Sequence, residues 1–90
     1  MPRLSGLPGT QRDQEAVYVT SPTGAIRALR GKLAATAAGD EGALNVWRDD
    51  AGAYRCEFQR YWVTVDHQTY RTLREVREWL TAWLPKMDAP

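Results

Sequence analysis

Residues 43–84 constrain the fold more than any other part of the chain. They read strand, turn, strand, strand, helix, with no proline and no unexplained glycine to break the pattern. Asp49-Asp50-Ala51-Gly52 is a turn signal, and a three-residue loop with Gly52 left-handed pairs Arg48 with Tyr54, Val46 with Cys56 and Leu44 with Phe58. A one-residue slip would carry the whole apolar set to the opposite face, so this register is strongly preferred. A tight loop at Gln59-Arg60 then pairs Phe58 with Tyr61, Cys56 with Val63 and Tyr54 with Val65, and a loop two residues longer keeps the same faces. After a break near Asp66-His67-Gln68, with room for a short strand at Thr69–Arg71, Thr72-Leu73-Arg74-Glu75 has the form of a capping box. Leu73, Val76, Leu80, Trp83 and Leu84 continue from it as one helical stripe that stops at Pro85.

The N-terminal half is less decisive. Residues 1–14 hold two prolines and two glycines, and Leu4 and Leu7 are their only large apolar anchors beyond Met1, which predicts a flexible tail. Ala16–Thr20 is a short run suited to a strand. Ser21-Pro22 is a helix start, and Ile26, Leu29, Leu33 and Ala37 share one arc at helical spacing. These positions predict a helix over 22–38, with Gly39 as its left-handed stop. The expectation is one α+β domain over residues 15–86 after the tail. It has a small antiparallel sheet of three to four strands and two helices, in the order β-α-β-β-β-α.

Chemistry is hard to place on this chain. It has one histidine and one cysteine, so no zinc site of ordinary ligand spacing forms within a monomer, and no internal disulfide can form. Neither Gly6-Leu7-Pro8-Gly9 nor Gly39-Asp40-Glu41-Gly42 has the residues of a phosphate loop. Cys56 falls mid-strand on the face of Tyr54 and Phe58, so it reads as a core thiol, with His67 as a surface imidazole at a turn. The expectation is therefore a protein without catalytic residues, resident metal or small-molecule cofactor. No apolar run approaches the ~20 residues of a membrane span and no signal-peptide pattern appears, which points to a cytoplasmic protein without membrane contact.

What remains is surface. With the apolar alternates facing the helices, Trp47, Arg55 and Trp62 lie on the other side of the sheet, Trp47 opposite Arg55 and Trp62 opposite Glu57. Aromatic residues and arginine concentrate in interface cores, so Trp47, Arg55 and Trp62, with Arg60 beside them, form a candidate partner-binding face. Cross-strand pairs that merely stabilise the sheet, or a covering helix or tail, account for the same residues. A second candidate is the basic segment Arg27, Arg30 and Lys32, which has no acid between residues 21 and 39. A protein partner or a self-dimer fits this surface best, as in a small regulator or inhibitor, including one encoded by a phage or mobile element. The alternative is a nucleic-acid-binding sheet face, against which stand a net charge of only +1 and the acids Glu57 and Asp66.

The stretch from Val46 to Leu80 resembles three families in pattern. The strands around Trp47, Tyr54 and Trp62, followed by Tyr70-Arg71-Thr72-Leu73-Arg74-Glu75-Val76 and Trp79, are similar to the three-strand-plus-helix arm-binding domains of tyrosine-type phage integrases. That resemblance implies DNA binding, although the lysines of those domains are missing. The acidic hairpin turn, tyrosine strand and Thr72-x-x-Glu75 helix also look like the partly RNase-H-like antitoxins of mRNA-interferase pairs, which implies a protein partner. The element order from residue 22 resembles double-stranded-RNA-binding domains, without their lysine cluster. Together they imply a shared small architecture.

Overall fold

A helix stop organises the N-terminal half. The computed structural model describes residues 14–88, so the expected tail, with Leu4 and Leu7, lies outside the described residues apart from Gln14. Strand β1 is Ala16–Tyr18 and helix α1 is Pro22–Arg30. Ser21 caps α1 by accepting the Gly24 N–H at 3.1 Å, with Pro22 in the first turn. The helix ends eight residues before the expected stop at residue 38. The Leu33 N–H donates to the Ala28 carbonyl and the Lys32 N–H to Leu29, while Lys32 takes φ 65°. That is a Schellman turn whose left-handed seat is filled by lysine rather than by the neighbouring Gly31.

The chain then returns as β2, Ala34–Ala38, where the helix had been expected to continue. Alanine favours helix, but here tertiary context overrides propensity: β2 pairs in parallel with β1 and antiparallel with β3, Gly42–Arg48. The fold is therefore α+β with one mixed, five-stranded sheet in the order β1-β2-β3-β4-β5, not an antiparallel sheet of three or four strands. Ala35 and Ala37 are buried beneath α1 with Ala25, Ile26 and Leu29.

The β3–β4 hairpin follows the expected register, with β4 spanning Tyr54–Arg60. Asp49 and Ala53 close the loop through Asp49 N–H to Ala53 carbonyl at 2.8 Å, and Gly52 sits at φ 83°. The Asp49 carboxylate ties it down: Oδ1 accepts the Ala51 and Ala53 N–H groups, each at 2.9 Å, and Oδ2 accepts Arg55 Nε at 3.1 Å.

Beyond β4 the chain departs from expectation. The two-residue turn is Tyr61-Trp62, not Gln59-Arg60, and β5 runs unbroken from Val63 to Tyr70 through the expected break. Arg60 pairs with Val63 and Gln59 with Thr64, but Phe58 pairs with Asp66, because a bulge falls between Phe58 and Gln59. The extra residue reverses which alternates of β5 face inward. Asp66 and Tyr70 take the helix side, where Tyr70 packs on the core and Asp66 Oδ2 accepts the Trp79 indole N–H at 2.7 Å. Val63 and Val65, expected inside, are 62% and 52% exposed.

Helix α2, Leu73–Trp83, begins with the anticipated capping box and passes into a 3-10 turn at Leu84–Met87. Val76, Trp79 and Leu80 are buried on the sheet, and Trp83 lies 4.6 Å, centroid to centroid, from Phe58. Phe58, Leu44 and Leu80 are fully buried, each stabilising the fold by about 1.5–3 kcal/mol. The domain reaches Met87, which is 8% exposed and joins the core one residue past the expected boundary.

Burial alone would raise the Asp49 carboxyl, but the Ala53 and Ala51 N–H groups and the Arg55 guanidinium outweigh it and hold it below its usual 3.8. A depressed carboxyl contributes stability that is complete above the unfolded value and lost as pH falls through the folded one. Asp49→Asn should therefore cost about 1–2 kcal/mol at neutral pH. In urea titrations the gap from wild type should close only as pH falls below 3.8.

Candidate functional site

The seven residues singled out by sequence occupy four places. Trp47 and Arg55 are cross-strand partners at the end of the sheet near the β3–β4 loop, as expected. Trp47 is nonetheless 1% exposed, clustered with Ala16 and Ala34, so it is not an accessible contact residue. Of the readings the sequence left open, a structural place for Trp47 is the one its burial matches, and the strand that brings Ala34 beside it was not foreseen because residues 34–38 had been placed in a helix. Arg55 is half-buried and directed at Asp49.

Arg27 and Arg30 lie in the last turn of α1 and Lys32 follows in the Schellman turn, all three exposed. Arg60 closes β4 on the helix side. Its Nη2 donates to the Lys86 carbonyl at 3.1 Å, and its guanidinium carbon stands 5.9 Å from the centre of the Phe58 ring. This arginine joins the sheet to the 3-10 turn and is committed to that task.

Trp62 stands apart. It does not oppose Glu57, whose cross-strand partner is His67, and whose Oε2 accepts the Thr64 hydroxyl. It occupies the second position of the β4–β5 turn and is 92% exposed, beside Tyr61 at 65%. From Trp47 to the level of Gly42 is five residues along β3, about 17 Å at ~3.3 Å per residue, and Trp62 lies beyond that. The two tryptophans do not share a surface.

Both turn residues have positive φ, 51° at Tyr61 and 71° at Trp62. That is the mark of a type I′ hairpin turn, which ordinarily carries Asn-Gly. Side chains in this conformation cost roughly 1–2 kcal/mol each. Tyr61, expected on the inner face, joins the candidate site instead. The signal that could have located this turn is weak, because loops centred at 59–60 and 61–62 give the same alternation of faces.

Beside the turn lies an open cavity of about 380 Å³, lined by the small residues Ala38, Gly39, Gly42 and Ala43, by Gln59, by Tyr61 and Trp62, and by Asp40 and Glu41. At Gly42 an added Cβ would come 2.7 Å from Phe58 Cζ, so no larger residue fits without displacing the core ring. Asp40 and Glu41 lie in the short loop between β2 and β3. Their loop is fixed by the Gly39 N–H to the Gly42 carbonyl, by the Glu41 N–H to the Met87 carbonyl, and by the Asp40 N–H to Asp88 Oδ1.

Cys56 is fully buried, and burial, aided by the charge of Asp66, pushes its thiol up to about 12. His67 lies within β5 and is exposed, where a turn position had been expected. The two side chains are on opposite faces, since Cys56 pairs with Gln68 and His67 with Glu57. Among the described residues, no three His, Cys, Asp or Glu side chains converge as metal ligands, and no helix is long and apolar enough to cross a membrane. A comparison with known proteins finds no matching family model, no matching curated protein and no matching solved structure.

Three outcomes follow from this geometry. Replacing the strained pair, Tyr61→Asn with Trp62→Gly, should raise stability by about 1–3 kcal/mol in urea unfolding. Trp47→Ala should instead cost about 3–5 kcal/mol. In native protein at pH 8, where about one Cys56 thiol in ten thousand is ionised, a disulfide reagent should react only at the rate of unfolding, and at once in denaturant.

Proposed function

We propose that the chain is a non-catalytic binding domain that engages a protein partner through the tip of the β4–β5 hairpin, with Trp62 as the anchor. The observation that carries this reading is a tryptophan 92% exposed in a backbone conformation that disfavours it. The side chain makes little use of the fold, and the fold is strained to present it; such outliers concentrate where function selects them. Tyr61, Val63 and Val65 continue the exposed apolar run along β5. With Trp62 they are four of the five large hydrophobic residues exposed among the described ones, and a contiguous patch of that kind marks an interaction surface. Strand β5 is also a sheet edge, whose free backbone groups suit it to a protein chain.

A regulator or inhibitor acting by occupying another protein, in the cytoplasm, fits a domain of this size without catalytic apparatus. Nucleic acid fits less well. Stacking aromatics and phosphate-binding arginines should share one surface, whereas Trp47 is buried and Arg27, Arg30 and Lys32 belong to the turn that leads into Ala34, at the end of the sheet away from Trp62.

The test is capture of partners by purified protein from lysate divided into nuclease-treated and untreated halves. A nuclease-resistant protein should be retained by wild type and by Arg27→Ala/Arg30→Ala, and lost with Tyr61→Asn/Trp62→Gly. Retention by the hairpin variant would refute the reading, and loss of the captured material on nuclease treatment would turn it toward nucleic acid.

A further inference from the structure

We infer that the cavity beside Trp62 receives an arginine side chain of the partner, an inference that rests on the hairpin tip being the binding surface. The cavity combines three features that together define the occupant. Its charged lining residues are Asp40 and Glu41, both acidic, and no ion pair among the described residues engages either carboxylate. A third carboxylate, Asp88, is tied to the same loop through the Asp40 N–H.

Two aromatic residues, Tyr61 and Trp62, are among its lining residues, and tryptophan is the side chain that best attracts a cation to its face. Apart from Gln59, the remaining lining residues are Ala38, Gly39, Gly42 and Ala43, whose small side chains leave room for an aliphatic stem. A volume of about 380 Å³ lies within the range of natural ligand clefts.

Two cations at this end, among the described residues, are directed elsewhere. The Lys86 ammonium stands 4.8 Å from the centre of the Trp83 ring, and Arg60 is bound to the Lys86 carbonyl. The site's negative charge is therefore left for a ligand. Arginine is favoured over lysine because its planar guanidinium can lie flat on the Trp62 indole while its edge donates to a carboxylate. An ammonium cannot meet both demands as a plane. The partner is thus a protein segment that brings at least one arginine to an aromatic-and-acid slot, flanked by apolar residues that meet Val63 and Val65.

The test uses the whole chain, labelled with ¹⁵N, and three short probe peptides: alternating glycine and arginine, the same peptide with citrulline at each arginine, and the same with lysine. Citrulline keeps the shape of arginine and removes its charge. At low salt the arginine peptide should shift the Trp62 indole resonance and the amides of residues 39–43 and 61–62, and the lysine peptide should do so more weakly. The citrulline peptide should leave them unmoved. Asp40→Asn/Glu41→Gln, changes at one exposed and one half-buried position whose folding the same spectra verify, should weaken binding about ten-fold, and added salt should act in the same direction.

Equal shifts from citrulline, unchanged affinity in the rim variant, shifts mapping elsewhere, or no shift at millimolar arginine peptide would each overturn the inference. The two failures are distinguishable. If the captured partner is lost with the Trp62 variant but is indifferent to the rim variant, the arginine slot fails and the hairpin reading stands. If the Trp62 variant keeps the partner, both fail.

Discussion

The close seat of α1 on the sheet depends on β2 presenting nothing larger than threonine. Ala35 and Ala37 let the helix backbone approach, and on the opposite face Ala34, with Ala16 of β1, receives the indole of Trp47. Two different packings therefore meet on one short strand, and neither tolerates a larger side chain. The Schellman turn at Lys32 makes this possible. By stopping α1 at Arg30 it returns the chain in time for β2 to pair with β1 in parallel and with β3 in antiparallel sense.

Rigidity is distributed unevenly over the sheet. The β3–β4 end is fastened by one carboxylate, Asp49, which meets two backbone N–H groups and the Arg55 guanidinium. The opposite end is anchored by contacts of lower order: Arg60 and the Glu41 N–H both reach the carbonyls of the final 3-10 turn. The hairpin tip projects from this second end, supported below by a secured framework but covered by none of it. That arrangement holds Tyr61 and Trp62 in place without burying them.

How much of this was legible in sequence depended on whether side-chain pattern or backbone geometry decided the outcome. The register of Leu44, Val46, Cys56 and Phe58 was readable because alternation and the Asp-Asp-Ala-Gly turn agree. The Thr72–Glu75 capping box was readable because its chemistry is local. The alanines of β2 were not readable: their propensity favours the helix, and only the neighbouring strands, remote in sequence, overrule it. Nor was the bulge, since one inserted residue leaves no compositional trace. Without it, Val63 and Val65 were expected inside, and Asp66 was read as part of a break rather than of a strand. Trp47 and Trp62 looked equivalent on paper for the same reasons, and they turn out to be a core residue and a surface residue.

The bulge between Phe58 and Gln59 has a larger meaning for the hairpin beyond it. A strand normally transmits its phase: whatever faces outward at one end dictates what faces inward at the other. Here the extra residue breaks that transmission, so the segment from Tyr61 to Val65 answers to the surroundings while Asp66 and Tyr70 answer to the interior. One continuous strand can therefore serve two masters, holding a solvent-facing tip at one end and filling the interior at the other, with a single residue as the change of phase between them.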